Sequence, residues 1–317
     1  MRRKTGSLRV LLTGPFFLFL AILLAVIIPG YDTGREDSSM KKEVKIFLHR
    51  TGRVISLSEE EYLVGVLAAE MPASYPEEAL KAQAVAARTY LYWRLQEGNK
   101  KGEPAPLCDR PDHAQGWLPR EERKKKWGKA YSFFENKMLK VVQATAGEVI
   151  VWEGQLIRAY YHASCGGRTE TAEEVLGKRI PYLISVTCPE SNPPRETRFY
   201  SWEEFFSRLG GDVLPATSGT KGQVEVTASG RLRFLSWGGR VWAGGEVRKK
   251  LGLKSTRMEF RFTEQGVIVT TTGYGHGLGL CQRGARELAL RGSDYQAILR
   301  HYYPGCQIQK LKPRSGS

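Results

Sequence analysis

Acidic residues are scarce in this chain: 33 Asp and Glu stand against 48 Lys and Arg, for a formal charge of +15 and a pI near 9.6. That balance disfavours cationic partners. It suits an anionic one, whether nucleic acid, a lipid headgroup surface or an acidic wall polymer, or it serves only to solvate the surface. Nucleic-acid signatures are missing, with no arginine-rich segment and no zinc-finger spacing, so nucleic acid is not an expected partner. Cysteine is sparse as well. The five residues Cys108, Cys165, Cys188, Cys281 and Cys306 are an odd number at wide spacing. This excludes a zinc ribbon or a small disulfide scaffold and leaves at least one thiol without a partner in the molecule. No internal repeat is present, which sets repeat architectures aside. The glycine-rich run near residue 275 lacks the Gly-Lys-Ser/Thr ending of a phosphate loop and does not match GxGxxG.

What is present is an ordinary globular composition, 41% hydrophobic and 26% charged over 317 residues. That length supports one large domain or two modest ones. The amino terminus differs from the rest. "MRRKTGSLR" carries Arg2, Arg3, Lys4 and Arg9 without an acid, and residues 10–28 follow without a charge. The uncharged run is long enough to cross a bilayer, and its positive flank is expected to stay in the cytoplasm. The expectation is therefore a cytoplasmic tail over 1–9, a transmembrane signal-anchor over 10–30 and a polar linker over 31–43, with the remainder extracytoplasmic on a single-pass membrane protein. A cleaved signal peptide is the alternative, although no small-x-small cleavage site follows the apolar run. Without those four cations the chain keeps 44 basic against 33 acidic residues. Outside a bacterial membrane the anionic surfaces are lipid headgroups, peptidoglycan and its attached polymers.

"VKIFLHRTGRVISLS" alternates around Thr51 and Gly52 and predicts a β-hairpin. Ser58 with Glu61 forms a capping box for a first helix, which Pro72 should stop near Met71. Ser74, Pro76 and Glu77 open a second, alanine-rich helix that ends near Gly98. "REERKKKWGKA" reads as a solvated helix face. "GEVIVWEGQLIRAYYHASCGG" and "PYLISVTCP" look strand-like. "SWEEFFSRL" predicts a helix, "QVEVTAS", "LRFLSW" and "VIVTTTGYG" predict strands, and two helices follow from about Gln282 and Ser293. The implied fold is α+β, a helix pair packed with antiparallel β-structure and preceded by one transmembrane helix. Its domain spans 44–310, with a β-rich subregion over 199–262 and a tail over 311–317.

Chemistry is expected first at Glu70. In the first helix Tyr62, Leu63, Val66 and Leu67 share one apolar stripe, and the next position on that stripe is Glu70. It is either a core glutamate neutralised by a basic neighbour, a helix-end residue reaching solvent, or a carboxyl that burial keeps protonated. A glutamate held near pKa ~6 can donate a proton at neutral pH, as the general acid of glycosidic-bond cleavage must. Lys81 and Arg88 lie seven residues apart on one face of the second helix. In "TTTGYGHGLGLCQRGA", glycines 273, 275, 277 and 279 surround His276. Either they make a tight structural turn, or they clear one face of an extended segment for a ligand to lie on bare backbone amides. "YYHASCGGRTETAEEV" groups His162, Ser164, Cys165 and Arg168, but no acyl-transfer context accompanies the Cys–His pair. Cys108 and His113 alone do not make a metal site. Outside a membrane a Cys165–Cys188 disulfide is open to the chain.

The segments "LVGVLAAEMPASYPEEALKAQAVAARTY", "YYHASCGGRTETAEEVLG", "VWAGGEVRKKLGLKST", "TTGYGHGLGLCQRGA" and "ILRHYYPGC", in that order, resemble the SpoIID/LytB family of sporulation proteins from about Val44 to Ile308. The resemblance implies a lytic transglycosylase, a glycan-cleaving lyase that acts on peptidoglycan during forespore engulfment without a cofactor. Its catalytic residue is the glutamate of the Ala-Ala-Glu-Met-Pro motif, Glu70. Lys81 and Arg88 match basic positions of the helix motif, and His276 matches the Gly-Tyr-Gly-His-Gly loop. These three join Tyr90, His162, Arg168, Tyr274 and Gln282 as substrate-binding candidates. The resemblance also implies a complex with a sporulation amidase and a multispanning membrane protein. Its LytB branch implies instead a non-catalytic wall-binding activator of an amidase. Some clostridial members resemble a zinc type with a Cys-x4-His-Cys cluster; here Ala114 stands in place of the second cysteine, and no metal is expected. The substrate implied is glycan strands stripped of stem peptides, with Lys81 and Arg88 meeting the exposed lactyl carboxylates.

Overall fold

The hairpin comes first. β1 (Glu43–Leu48) and β2 (Arg53–Ser58) pair antiparallel in continuous register from Glu43 opposite Ser58 to Leu48 opposite Arg53. Gly52, in the left-handed conformation, makes the turn. Ser58 then caps α1 (Glu59–Glu70): its hydroxyl accepts from the Glu61 N–H at 3.2 Å, and Glu59, Glu60 and Glu61 face the positive end of the helix dipole. α1 stops at Glu70 because Met71 is extended and Pro72 follows. α2 (Glu77–Glu97) starts after Pro76, not at Ser74, and ends at Gly98. Residues 43–99, 102–110, 114–210 and 222–311 are described in this computed structural model, within a unit spanning residues 42–317. The expected membrane span, the linker, His113 and the tail from 312 lie outside the described residues. Among the described residues no helix is long and apolar enough to cross a membrane.

α1 is buried on every side from Tyr62 to Ala68, not along one stripe. The expected core-facing stripe is thus corrected to a fully enclosed helix, with Glu70 as its last residue. α2 packs against α1, α4 (Tyr131–Ala144), β4 (Glu148–Trp152), α8 (Gln282–Leu290) and α9 (Tyr295–Tyr302). Its alanines 79, 82, 84, 86 and 87 are all buried and let so many neighbours approach one backbone. β3 (Leu107–Cys108) adds parallel to β1, and α3 (Arg120–Trp127) leads into α4. The basic run on α3 is not wholly a solvated face: Arg123 is buried and ion-paired to Glu61 and Glu135 at 2.7 Å each. β4 is flanked by β5 (Gln155–Leu156) and the C-terminal β14 (Gln307–Lys310), and β6 (Tyr161–His162) pairs parallel to β13 (Leu280–Cys281). α5 (Ala172–Leu176) is a short capped helix. "PYLISVTCP" forms no strand; its one bridge links Thr187 to Arg168.

A second hydrophobic core runs from Tyr200 to Val269. It is built from β7 (Arg195–Ser201), α6 (Trp202–Leu209), β8 (Gln223–Val226), β9 (Leu232–Trp237), β10 (Arg240–Ala243), α7 (Gly244–Lys250), β11 (Met258–Phe262) and β12 (Gly266–Thr272). Its two antiparallel sheets have the orders β10-β9-β8 and β11-β12-β7. Buried polar groups join it to the first core. Glu170 accepts from the Thr227 hydroxyl at 2.6 Å, and Arg231 donates to the Cys165 carbonyl at 2.6 Å. The mixed α+β architecture matches the sequence expectation.

Candidate active site

Glu70 is both a helix-end residue and a desolvated carboxyl. Its side chain is half-buried, and burial raises its pKa above the ordinary carboxylate range. Three groups oppose that shift: first the Gly116 backbone N–H, which donates to Oε1 at 2.8 Å, then the Gln282 amide and the Tyr161 hydroxyl. None of the three is an acid.

The loop carrying Gly116 is locked onto α1. Leu118 donates its N–H to the Gly65 carbonyl at 3.1 Å, and Trp117 lies so close to Gly65 that a Cβ there would stand 2.2 Å from the indole nitrogen. Gln115 is buried, donating to the Tyr62 hydroxyl at 3.1 Å and accepting from the Tyr161 hydroxyl at 2.8 Å. Gln282 reaches from the first position of α8 to Gln83 of α2, 3.3 Å away. Glu70 thus sits where α1, the Gln115–Leu118 segment, β6 and the start of α8 converge. Lys126 closes the end of α1 by donating to the Ala68 carbonyl at 2.7 Å.

The glycine loop has a different purpose from the ligand-facing one considered above. Glycines 273, 275, 277 and 279 all have positive φ, and the protein itself fills the space beside them. Added Cβ atoms would meet the Ser164 carbonyl at 2.7 Å, the His162 side chain at 2.8 Å, the Arg231 guanidinium at 2.6 Å and the Tyr160 carbonyl at 2.1 Å. Gly273, Tyr274 and Gly275 also spend their amides on the carbonyls of Pro194, Ser164 and Lys254. The tight structural turn is the correct alternative.

His162 and His276 meet inside this turn, with ring centroids 5.7 Å apart. Burial depresses both pKa values, that of His276 to about 4, with Arg248 and Arg231 adding to the effect. Nδ1 of His162 bonds to the Leu278 carbonyl, and Nδ1 of His276 accepts from the Leu278 N–H, each at 3.0 Å.

The other candidates scatter. Arg88 is only 1% exposed and is corrected from a groove residue to an internal one. Its guanidinium pairs with Glu59 at 2.7 Å and donates to the carbonyls of Thr145 and Val142. Lys81 is held by Glu78 at 2.6 Å and lies over the Tyr295 ring. Tyr274 is half exposed beside Ser164, and Arg168 is exposed with its backbone bridged to Thr187. Tyr90 lines a cleft of about 450 Å³ with Trp93, Arg158, Tyr160, Lys178 and Tyr182. There the Arg158 guanidinium lies 4.7 Å from the ring centroids of both Trp93 and Tyr160. Glu70 is not in its lining; β6 links the two, since Tyr161 acts on the carboxyl and the adjacent Tyr160 lines the cleft. Sequence reasoning missed Gly116, Gln115, Tyr161 and Arg158. The one signal for the first two was Trp117-Leu118, the only bulky apolar pair in the polar run after Cys108. No disulfide joins Cys165 and Cys188.

Over 298 residues the chain is 34% identical to stage II sporulation protein D of Bacillus amyloliquefaciens, covering 89% of this chain and 86% of that one. The chain belongs to the SpoIID family. The stage II sporulation protein D of Bacillus subtilis is 36% identical over 276 residues, 84% of this chain and 79% of that protein. The family model described as "SpoIID: Stage II sporulation protein" matches residues 48–152, the stretch that carries both Glu70 and Gly116. The amidase enhancer of Bacillus subtilis is 31% identical over 302 residues, 78% of this chain but 40% of that longer protein. Membership in this family supports a role in sporulation for the SpoIID chain described here.

Proposed function

We propose that this SpoIID protein is a membrane-anchored lytic transglycosylase that cleaves MurNAc–GlcNAc bonds of peptide-stripped peptidoglycan and leaves 1,6-anhydro ends. The observation that carries the reading is the environment of Glu70: a carboxyl whose pKa is raised by burial, steadied by the Gly116 N–H, with no acid among the described groups acting on it. Glycoside hydrolases ordinarily need two carboxyls, one for the leaving group and one as nucleophile or base. A single carboxyl suffices when the muramic C6 hydroxyl is the nucleophile. Protonated Glu70 gives its proton to the glycosidic oxygen as the C1–O bond breaks. The C6 oxygen then bonds to C1, and its proton returns to Glu70, so acid and base are one group used twice. Between the two transfers the carboxylate is held by the Gly116 N–H.

The aromatic, basic cleft beside β6 is the proposed glycan subsite. The rings of Tyr90, Trp93, Tyr160 and Tyr182 offer apolar faces to sugar rings, and Arg158 offers a guanidinium to a lactyl carboxylate. In this reading residues 10–30 anchor the chain, the described unit works outside the membrane, and an amidase and a multispanning membrane protein are its partners. The amidase supplies the stripped strands. Likeness to an amidase enhancer supports a second reading, in which the protein binds wall and activates that amidase without cleaving glycan.

One experiment separates them. Stripped strands digested by the unmutated protein should yield anhydromuramyl products by mass spectrometry. Glu70→Gln, which keeps the shape but transfers no proton, should lower turnover by about 10²–10⁴-fold with wall binding intact. Reducing ends would mean hydrolysis by a second carboxyl. Stimulated amidase without soluble glycan from either protein would favour the activator.

A further inference from the structure

Three cysteines and a glutamate from distant parts of the chain converge beside β6. One ligand atom from each of Cys165, Cys188, Glu190 and Cys281 falls within 4.8 Å of the other three. The Cys165 and Cys281 sulfurs stand 3.6 and 3.7 Å from Oε2 of Glu190. A tetrahedral zinc ion with Zn–S of ~2.3 Å and Zn–O of ~2.0 Å places its ligand atoms about 3.5–3.8 Å apart. The two sulfur–oxygen edges match that tetrahedron, and the other edges, all within 4.8 Å, need the ligands to draw in by at most about 1 Å.

The surroundings suit thiolates and a metal. Cys281 caps α8, and its sulfur accepts from the N–H groups of Gly284 at 3.4 Å and Cys165 at 3.3 Å, at the positive end of the helix dipole. Cys188 lies 3.1 Å from the Tyr302 hydroxyl. The Glu190 side chain is enclosed; its Oε1 takes the Arg283 guanidinium at 2.9 Å and its Oε2 takes the Gly166 N–H at 3.0 Å. Such outer contacts orient the ligands of a metal. Gly284 leaves the room: a Cβ there would stand 2.2 Å from the Cys188 sulfur and 2.0 Å from the Tyr302 oxygen. Three thiolates and a carboxylate carry four negative charges, which one divalent cation and Arg283 reduce to one. Without a cation, the thiols must stay protonated around a buried carboxylate.

We propose that Cys165, Cys188, Cys281 and Glu190 bind one structural zinc ion, the three thiol protons leaving to solvent as it binds. Four protein ligands close the coordination sphere, so the role is structural. The ion ties together the segment after β6, the irregular 187–190 stretch and the end of β13 that caps α8. Of the groups that act on Glu70, Tyr161 lies on β6, four residues before Cys165, and Gln282 directly follows Cys281. This site is separate from the Cys108 region and does not depend on the transglycosylase reading.

The test uses the full-length chain purified in detergent under reducing conditions, with zinc(II) and cobalt(II) as probes. About one zinc per chain is expected by elemental analysis. The cobalt form should show thiolate-to-metal charge-transfer absorption that Cys281→Ser abolishes and Cys108→Ser retains. A second measurement needs no variant: in the zinc-loaded protein Cys165, Cys188 and Cys281 should resist alkylation and become reactive when a chelator is added, while Cys306 is unaffected. Failure of the reduced chain to retain zinc through gel filtration would overturn the proposal. So would metal that is lost with Cys108→Ser, or a disulfide joining two of the three cysteines in protein isolated without reduction.

Discussion

The backbone N–H of Gly116 points at Oε1 of Glu70 from 2.8 Å, and a Cβ on Gly116 would stand 3.0 Å from the same oxygen and 3.3 Å from the Ala69 methyl. A side chain at this position would crowd the very carboxyl that the N–H steadies. Gly116→Ala keeps the N–H but forces the carboxyl or the loop to give by a few tenths of an ångström. Since misplacement by about 1 Å can cost 10²-fold in rate, turnover on stripped strands should fall about tenfold with little change in Tm. Unchanged turnover would show that the Gly116 contact is not used in the reaction.

Glu70 should also leave its mark on stability. Its folded-state pKa lies above the unfolded value of ~4.3. The folded chain therefore holds this proton more tightly, and the stability linked to it is full below pH ~4.3 and is lost as pH rises through the elevated pKa. Glu70→Gln never ionises. Its Tm should match the parent in acid and exceed it at neutral pH and above. A variant less stable than the parent at neutral pH would contradict the raised pKa.

Arg88 is expected to fail as a structural residue. Removing its guanidinium takes the only ion-pair partner among the described residues from the Glu59 carboxylate, about nine-tenths buried, which keeps the Tyr92 hydroxyl. It also takes one donor each from the carbonyls of Thr145 and Val142. Breaking a buried pair costs about 3–5 kcal/mol. Arg88→Ala should lower Tm by roughly 10 °C, measured by calorimetry, while the protein that remains folded binds stripped strands as before. A large loss of binding with Tm unchanged would restore Arg88 to the groove.

Arg158 is the arginine placed to meet a glycan carboxylate. It is exposed, held between two aromatic rings, and lines the cleft. A charge-assisted contact contributes about 1.5–3 kcal/mol, so Arg158→Ala should raise KM for stripped strands about tenfold or more with kcat nearly kept. Arg158→Lys should recover only part of this, because the planar stacking is lost. If KM is unmoved, the cleft is not the glycan subsite.

Local chemistry is legible in the sequence. The hydroxyl of Ser58, the acids after it and Pro72 bounded α1, the alternation around Gly52 made a hairpin, and a carboxyl at the end of an apolar helix marked Glu70. Each of these depends on backbone geometry and on residues within a turn or two, so the sequence by itself determined them. Tertiary structure decided the rest. Two arginines of equal charge parted company because Arg88 faces the carbonyls at the end of α4 and Arg158 faces a cleft, and nothing within a few residues of either announces it. The glycines of the His276 loop were needed against Tyr160, His162 and Ser164 from the β6 segment and Arg231 from the second core's region, partners brought together by the fold. Cys165 and Cys281, 116 positions apart, met because β6 and β13 pair in parallel. Contacts between residues so distant along the chain are set by how the elements pack, and packing is a property of the whole fold.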